Sequence, residues 1–428
     1  MLDIISHHLS LIFGKTQKSL QRGGFFQNCS RHQFSTTKHG YSPFLLERYF
    51  DKYEFKAKYL LCSSDTQAYT MNEILKMGDK ETLSLWNNLE LSYTQAQGLP
   101  LLRNEIAKFY NGTSNTKTAP INENDILILA PEEGVLIGLN TISRHFSNQK
   151  QEAIVVSPSY QSLQECYQST PNTSIKHWNV ELNGNTNQWE LNFQTLENQL
   201  LTNHTKLVIV NFPHNPTGYY PTLSQWYDLI KFCQMNDLYL FSDEMYWNLW
   251  DGQDTLPSAS MLYDKAVTLS GLSKSYGCPG LRIGWLITRD SQLMNAFRTM
   301  KDYTTICNSA PSEILALIAL RNVPTILSQR KSIIATNTQA WKQFCQKHST
   351  VFQFIPNKGG STCLTKLKGK AKQLGAFNFA ELVVNECQVM LLPSNLFFYG
   401  NDFVRIGLGR TNFKDALHTL DQFLCKWK

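Results

Sequence analysis

The chain has 428 residues, 42% of them hydrophobic and 17% charged, with ten cysteines and a net charge of +6. That length exceeds one small core and predicts two domains, and the ordinary composition excludes a disordered or fibrous class. No apolar run approaches 18 residues, which excludes a helical membrane span, and the cysteines show neither CxxC nor zinc-type Cys/His spacing, so free thiols in a reducing compartment are expected.

The charge is concentrated at the N-terminus. Residues 1–41 carry Lys15, Lys18, Arg22, Arg31 and Lys38 against Asp3 alone, a net +4 that leaves +2 for the rest of the chain. No nucleic-acid footprint is therefore expected on the body of the protein. Leu2, Ile5, Leu9 and Ile12 recur at helical spacing, and Arg31-His-Gln-Phe-Ser-Thr-Thr37 is hydroxyl-rich and free of acids. The extension 1–41 reads as an organellar transit peptide, with the mitochondrial matrix as its destination and the cytoplasm as the alternative.

Further along, Ser42 is expected to cap a helix with Pro43 in its first turn, and Leu99–Tyr110 predicts a second helix that opens after Gly98. Apolar, strand-like runs near residues 126, 153, 206, 238, 266 and 283 then alternate with longer amphipathic segments. That is the pattern of an α/β fold with a mostly parallel sheet covered by helices. From about Ser312, helical stretches precede Gly359-Gly-Ser-Thr-Cys-Leu364 and the strand-like Phe403-Val-Arg-Ile-Gly407, consistent with a smaller α+β domain. The expected division is the extension 1–41, a segment 42–85 that joins the small domain, a large domain 86–311 and a small domain 312–428.

Three motifs follow buried-strand runs, at the end of the strands where ligands of α/β folds sit. Asn211-Phe-Pro-His-Asn-Pro-Thr-Gly218 turns sharply after Lys206–Val210. Ser242-Asp-Glu-Met-Tyr246 places Asp243 at a strand end with Tyr246 three residues on. Ser270-Gly-Leu-Ser-Lys-Ser-Tyr-Gly-Cys-Pro-Gly-Leu-Arg282 offers the Lys274 amine to a carbonyl and, eight residues later, the Arg282 guanidinium to a phosphate. A fourth stretch, Ala130-Pro-Glu-Glu-Gly134, runs from a strand into a helix whose first N–H groups suit a phosphate. The carboxylates of Glu132 and Glu133 would repel a dianion, so binding at Pro131 and Glu132 is assigned to the backbone.

With Asn-Pro-Thr-Gly, Asp-x-x-Tyr and Ser-Lys with its arginine in this order, the chain resembles the fold-type I pyridoxal-phosphate enzymes, specifically the class I/II aminotransferases, from about Tyr41 to the C-terminus. Phe-Pro-His-Asn-Pro-Thr-Gly, Ala-Pro-Glu-Glu-Gly and Pro158-Ser-Tyr-Gln-Ser162 are most similar to the branch that includes capreomycidine synthase.

The resemblance implies a role for each residue. Lys274 forms the aldimine with pyridoxal 5'-phosphate and moves the substrate's α-proton. Asp243 keeps the pyridine nitrogen protonated, Tyr246 and Asn215 donate to the phenolic oxygen, and Tyr160 stacks on the ring. Arg282 clamps the phosphate, and Arg405 binds the substrate's α-carboxylate. Tyr93, five residues before Gly98, matches a tyrosine that reaches the phosphate of a neighbouring subunit, which implies a homodimer with a shared active site. Relatives often carry serine three residues before the lysine. Here that position is Gly271, and Ser270 and Ser273 compete for the phosphate contact, with Ser273 adjoining the lysine. The implied activity is transfer of an amino group from an L-amino acid to a 2-oxo acid, with elimination or cyclisation by a lyase or cyclase as the alternative outcome. No residue pattern identifies the substrate side chain.

Overall fold

The computed structural model describes residues 40–113, 120–249, 252 and 255–427. The chain divides into a unit ending at Ser42 and a second unit, Pro43–Lys428, to which every element below belongs. The transit-peptide reading of residues 1–41 lies outside the described residues but for Gly40 and Tyr41.

The strands in chain order are β1 (Tyr59–Leu60), β2 (Ile126–Leu129), β3 (Gln151–Ser157), β4 (Thr173–Asn183), β5 (Gln188–Leu191), β6 (Thr205–Asn211), β7 (Tyr239–Asp243), β8 (Ala266–Gly271), β9 (Gly284–Ile287), β10 (Phe352–Gln353), β11 (Thr362–Leu367), β12 (Val389–Met390), β13 (Leu392–Pro393) and β14 (Phe403–Gly407). An eight-stranded sheet among the described residues has the order β2-β9-β8-β7-β6-β3-β4-β5. Its centre, from β8 to β4, is parallel, while β9 runs antiparallel to β2 and β8, and β5 antiparallel to β4.

The apolar runs are continuous because helices cover both faces. Ala153 and Val155 point to the side of Phe241 and Leu269, whereas Ile154 and Val156 join Val208 and Leu240 on the other. Each valine, leucine, isoleucine or phenylalanine among them contributes roughly 1.5–3 kcal/mol of burial. The last two strands of the order, β4 and the edge strand β5, have no such run and escape the sequence reading. Their apolar residues alternate with exposed ones, as at Trp178, Asn179, Val180 and Glu181, because one face meets solvent.

The helix predicted from Ser42 starts at Leu45 instead, and Phe44 at its cap position makes no side-chain capping bond. The cap comes from elsewhere in the chain. Gln161 accepts the Leu45 N–H through Oε1 at 3.0 Å and donates through Nε2 to the Pro43 carbonyl at 3.0 Å, fastening Leu45–Tyr53 to the loop after β3. The helix expected after Gly98 spans Pro100–Thr113.

A second, antiparallel sheet has the order β10-β11-β14-β13, and β1 pairs in parallel with β12. The segment after β1 crosses β14 closely: a Cβ added at Gly407 would sit 1.7 Å from the Ser63 carbonyl oxygen. Thr66 then donates its hydroxyl to the Lys274 carbonyl at 2.8 Å. Residues 61–66 thus tie the strand carrying Arg405 to the loop carrying Lys274. The apolar helix Ala310–Arg321 packs against Ile126, Ile128 and Trp285, and among the described residues no single helix is long and apolar enough to cross a membrane.

Candidate active site

At the carboxyl ends of β2, β3, β6, β7 and β8 lies a cavity of about 710 Å³. Its wall includes Lys274, Asp243, Tyr246, Asn215, Arg282, Ser273, Tyr160, Arg405, Pro131 and Glu132. These come from six separated stretches of sequence, and only Tyr93 of the expected residues is missing. Tyr93 is 88% exposed and away from the cavity of its own chain.

Asp243 ends β7, wholly buried, its Oδ1 accepting the Met245 N–H at 3.0 Å. Burial pushes its carboxyl up to about 7, Glu132 adds to the shift, and the Met245 N–H and Lys274 oppose it. No ion pair of Asp243 occurs among the described residues. Asn211 donates to the Asp243 carbonyl at 2.9 Å and accepts the Asn215 N–H at 2.9 Å, so one side chain sets both loops.

His214 performs a similar service between the loops after β3 and β6. Its Nε2 lies 2.7 Å from the Pro158 carbonyl, and its Nδ1 lies 2.7 Å from the Thr217 hydroxyl. Burial lowers the imidazole to about 4, so it is neutral, with Nε2–H donating to the carbonyl and Nδ1 accepting from Thr217.

Lys274 follows β8 and donates through Nζ to the Ser64 hydroxyl at 3.1 Å. The glycine at position 271 has a steric cause. It pairs with Gly284 across β8 and β9, and a Cβ there would stand 2.8 Å from the Gly284 Cα and 3.2 Å from the Pro131 ring. The three serines around it then separate by partner. Ser270 donates to the Glu244 carbonyl and Ser275 to the carbonyls of Met245 and Trp247, while the buried Ser273 hydroxyl lines the cavity with no partner.

Pro131 has no N–H, so the donors at the start of the helix Pro131–His145 are the amides of Glu132 and Glu133. Glu133 turns its carboxylate away. It accepts the Ala130 N–H, takes the hydroxyls of Thr304 and Thr305, and has Lys301 Nζ at 3.9 Å. Glu132 faces the cavity, where burial raises its carboxyl above the usual range. Arg282 stands exposed at the cavity wall in a left-handed conformation, φ 55°, and spends one N–H on the Pro279 carbonyl at 3.2 Å.

Arg405 is 2% exposed. Its Nε and Nη2 donate to the Cys62 carbonyl at 3.1 and 2.8 Å, and its Nη1 to Asn215 Oδ1 at 3.0 Å. A guanidinium has five N–H donors, so one remains on each terminal nitrogen, the pair a carboxylate accepts.

The sequence reading missed Ser64, the Arg410–Asp65 ion pair at 2.7 Å, and the place at the cavity of Glu47 on the helix Leu45–Tyr53 and of Glu54 at its C-terminal cap, all of which line the wall. Glu47 Oε1 accepts the Tyr160 hydroxyl at 2.9 Å. Burial, Glu132 and Glu47 keep that phenol protonated. No local motif marks these positions, because charges on one helix face read as solvated.

The donor set fits pyridoxal phosphate. The unpartnered Ser273 hydroxyl, the amides of Glu132 and Glu133 and the Arg282 guanidinium suit a phosphate dianion. Asp243, a buried carboxylate without a cation, suits a protonated ring nitrogen.

The model of the family described as "Aminotransferase class I and II" matches residues 58–418. The chain is 23% identical over 341 residues to "Aromatic-amino-acid aminotransferase 2" of Thermococcus litoralis, covering 78% of this chain and 84% of the relative. It is 24% identical over 256 residues to "Capreomycidine synthase" of Streptomyces vinaceus, covering 60% and 63%. A solved pyridoxal-phosphate-dependent aminotransferase from Streptococcus suis superposes with a TM-score of 0.79 at 23% identity, covering 92% of this chain and 99% of that one. With the family match spanning most of the chain and the cavity holding its donor set, this protein belongs to the class I and II aminotransferases, enzymes that work with pyridoxal 5'-phosphate.

Proposed function

We propose that the protein is a homodimeric mitochondrial transaminase in which Lys274 holds the cofactor and moves the substrate's α-proton. The observation that carries this reading is the meeting of Lys274, the cation-free Asp243 and the half-committed Arg405 in one cavity. When bound, pyridoxal phosphate supplies an aldehyde carbon for the amino group and an aromatic ring that accepts the electron pair of the broken Cα–H bond.

The chain's residues do the rest. Arg405 binds the α-carboxylate through its two spare N–H donors, which orients the α-hydrogen toward Lys274. Lys274 Nζ takes that proton and later returns a proton, and Ser64, 3.1 Å away, fixes the amine's direction. Asp243 holds a proton on the ring nitrogen, and Asn215, whose Oδ1 is used by Arg405, is left with its amide N–H groups to donate to the phenolic oxygen. The helix Leu45–Tyr53 borders the cavity through Leu46, Glu47 and Phe50.

The shared dimer site is supported by Tyr93 and its surroundings. Leu91, Tyr93, Tyr303 and Ile306 are all exposed, and Thr94 donates to the Asn308 carbonyl, which brings the two segments side by side. An apolar surface of this kind suits a second copy of the chain. Sedimentation of the purified protein tests it, with a dimer expected for the wild type and a monomer for Leu91→Glu/Ile306→Glu. The mitochondrial assignment is supported by the basic residues 1–41, and a fluorescent protein carrying that segment is expected to enter mitochondria.

The transaminase reading is tested by 2-oxo acid dependence: sustained turnover requires an added 2-oxo acid. Turnover without it would favour elimination or cyclisation at the same cavity, the outcome that similarity to capreomycidine synthase supports.

A further inference from the structure

Most charged groups in the cavity already have a task. Lys274, Asp243, Arg282 and Arg405 serve the cofactor and the α-carboxylate, and Arg410 is held by Asp65 in two bonds of 2.7 and 2.9 Å. Glu132 belongs to the first helical turn at the cofactor end. Two carboxylates remain, Glu47 and Glu54, and among the described residues neither forms an ion pair.

Their placement follows from helix geometry. At 100° per residue, positions 47, 50 and 54 fall within one narrow arc, and all three side chains line the cavity. The helix cannot slide, because Gln161 holds both Pro43 and Leu45 and Tyr160 bonds Glu47. Among the described residues the Glu54 carboxylate accepts no hydrogen bond, and burial, Glu47 and Asp65 each push it up, with Arg410 and Lys274 opposing. The second, independent indication of a ligand is Arg405, buried in the same cavity with two N–H donors unspent.

We infer that Glu47 and Glu54 are specificity-determining residues that select an amino donor whose side chain ends in a cation, an amine or a guanidinium. An amino acid bound by its α-carboxylate at Arg405 extends its side chain into a cavity where the remaining charges outside any ion pair, Glu47 and Glu54, are both negative. A neutral side chain leaves both without a countercharge, Glu47 keeping only its hydrogen bond from Tyr160, and an acidic one meets like charge. The inference rests on the transaminase reading of the same cavity and adds the substrate class to it.

The test compares pairs that differ in charge and little in shape: L-arginine with L-citrulline, and L-ornithine with L-norleucine. In the wild-type holoenzyme kcat/KM for the cationic member is expected to exceed that of its partner by on the order of tenfold or more. Glu47→Gln and Glu54→Gln are each expected to shrink that ratio by roughly tenfold, with the change in KM. A binding readout accompanies it. Calorimetric titration of Lys274→Ala, which cannot turn over, is expected to show tighter binding of L-arginine than of L-citrulline, and the difference should vanish when Glu54→Gln is added. A preference for arginine alone assigns the guanidinium, and one for ornithine alone the amine. Conversion of neutral or acidic donors with no cationic preference, or ratios unchanged in both variants, would overturn the inference and leave transamination standing. Failure of every amino acid to convert the bound cofactor would overturn both.

Discussion

Arg405 in β14 and Asn215 in the loop after β6 share a hydrogen bond of 3.0 Å, from Nη1 to Oδ1, with both side chains buried. The bond joins the group assigned to the substrate carboxylate to the group assigned to the cofactor's oxygen. It also orients the Asn215 amide, since an oxygen that accepts from arginine turns the nitrogen the other way.

Replacing the fork by a point charge separates these duties. Arg405→Lys retains a cation but loses the paired donors and the bond to Asn215, at a cost of about 2–3 kcal/mol, or roughly a hundredfold in kcat/KM for the amino donor. Steady-state kinetics checks this, with the loss expected for every donor, and equilibrium dialysis should show cofactor binding changed far less.

Asp243 makes the cofactor-free protein sensitive to pH in a defined direction. Its folded-state carboxyl stands near 7, above the usual range near 4, so between those values the native state binds the extra proton and the unfolded chain does not. The group's contribution to stability is therefore undiminished below about pH 4 and falls as pH rises toward 7, by about 1.4 kcal/mol per unit. Asp243→Asn removes that slope while its Oδ1 can still accept from Met245. Thermal unfolding of the two apoproteins from pH 5 to 8 is expected to show the variant gaining on the wild type as pH rises, although its cofactor affinity is lower.

The glycine and serine of the Lys274 loop give opposite results. Gly271→Ser introduces a hydroxyl at this position, but its Cβ meets the Gly284 Cα at 2.8 Å and the Ile283 carbonyl at 3.0 Å, a clash worth about 1–3 kcal/mol of stability. Ser273→Ala leaves no partner behind, so stability is expected to hold while cofactor affinity falls by roughly tenfold. Chemical denaturation and cofactor titration on both variants distinguish the two effects.

The readable part of the fold was the part buried on two faces. Runs such as Ile126–Leu129 and Ala266–Leu269 have one cause, helices on both sides, and the motifs after them fall at the cavity because parallel strands bring their ends together. Strand β4 shows the converse, since its alternation is confined to Trp178–Glu181 and the residues before it, Thr173–His177, are all half-buried. Glu47, Glu54 and Ser64 reach the site only through tertiary pairing: Gln161 sets the helix, and residues 61–66 cross β14. Nothing local in the sequence records such a crossing. Position 271 follows the same rule, because Gly284 and Pro131, distant in sequence, decide what it can hold.

The most direct measurement is the absorbance spectrum of the protein with bound cofactor, taken before and after adding an amino donor without any 2-oxo acid. The wild type is expected to show a near-visible band that falls stoichiometrically, with one 2-oxo acid released per chain and recovery on adding a 2-oxo acid. Lys274→Ala is expected to lack this cycle. Product accumulating over many turnovers beneath an unchanged band would contradict transamination, and a wild type with no band in excess cofactor would contradict the role of Lys274.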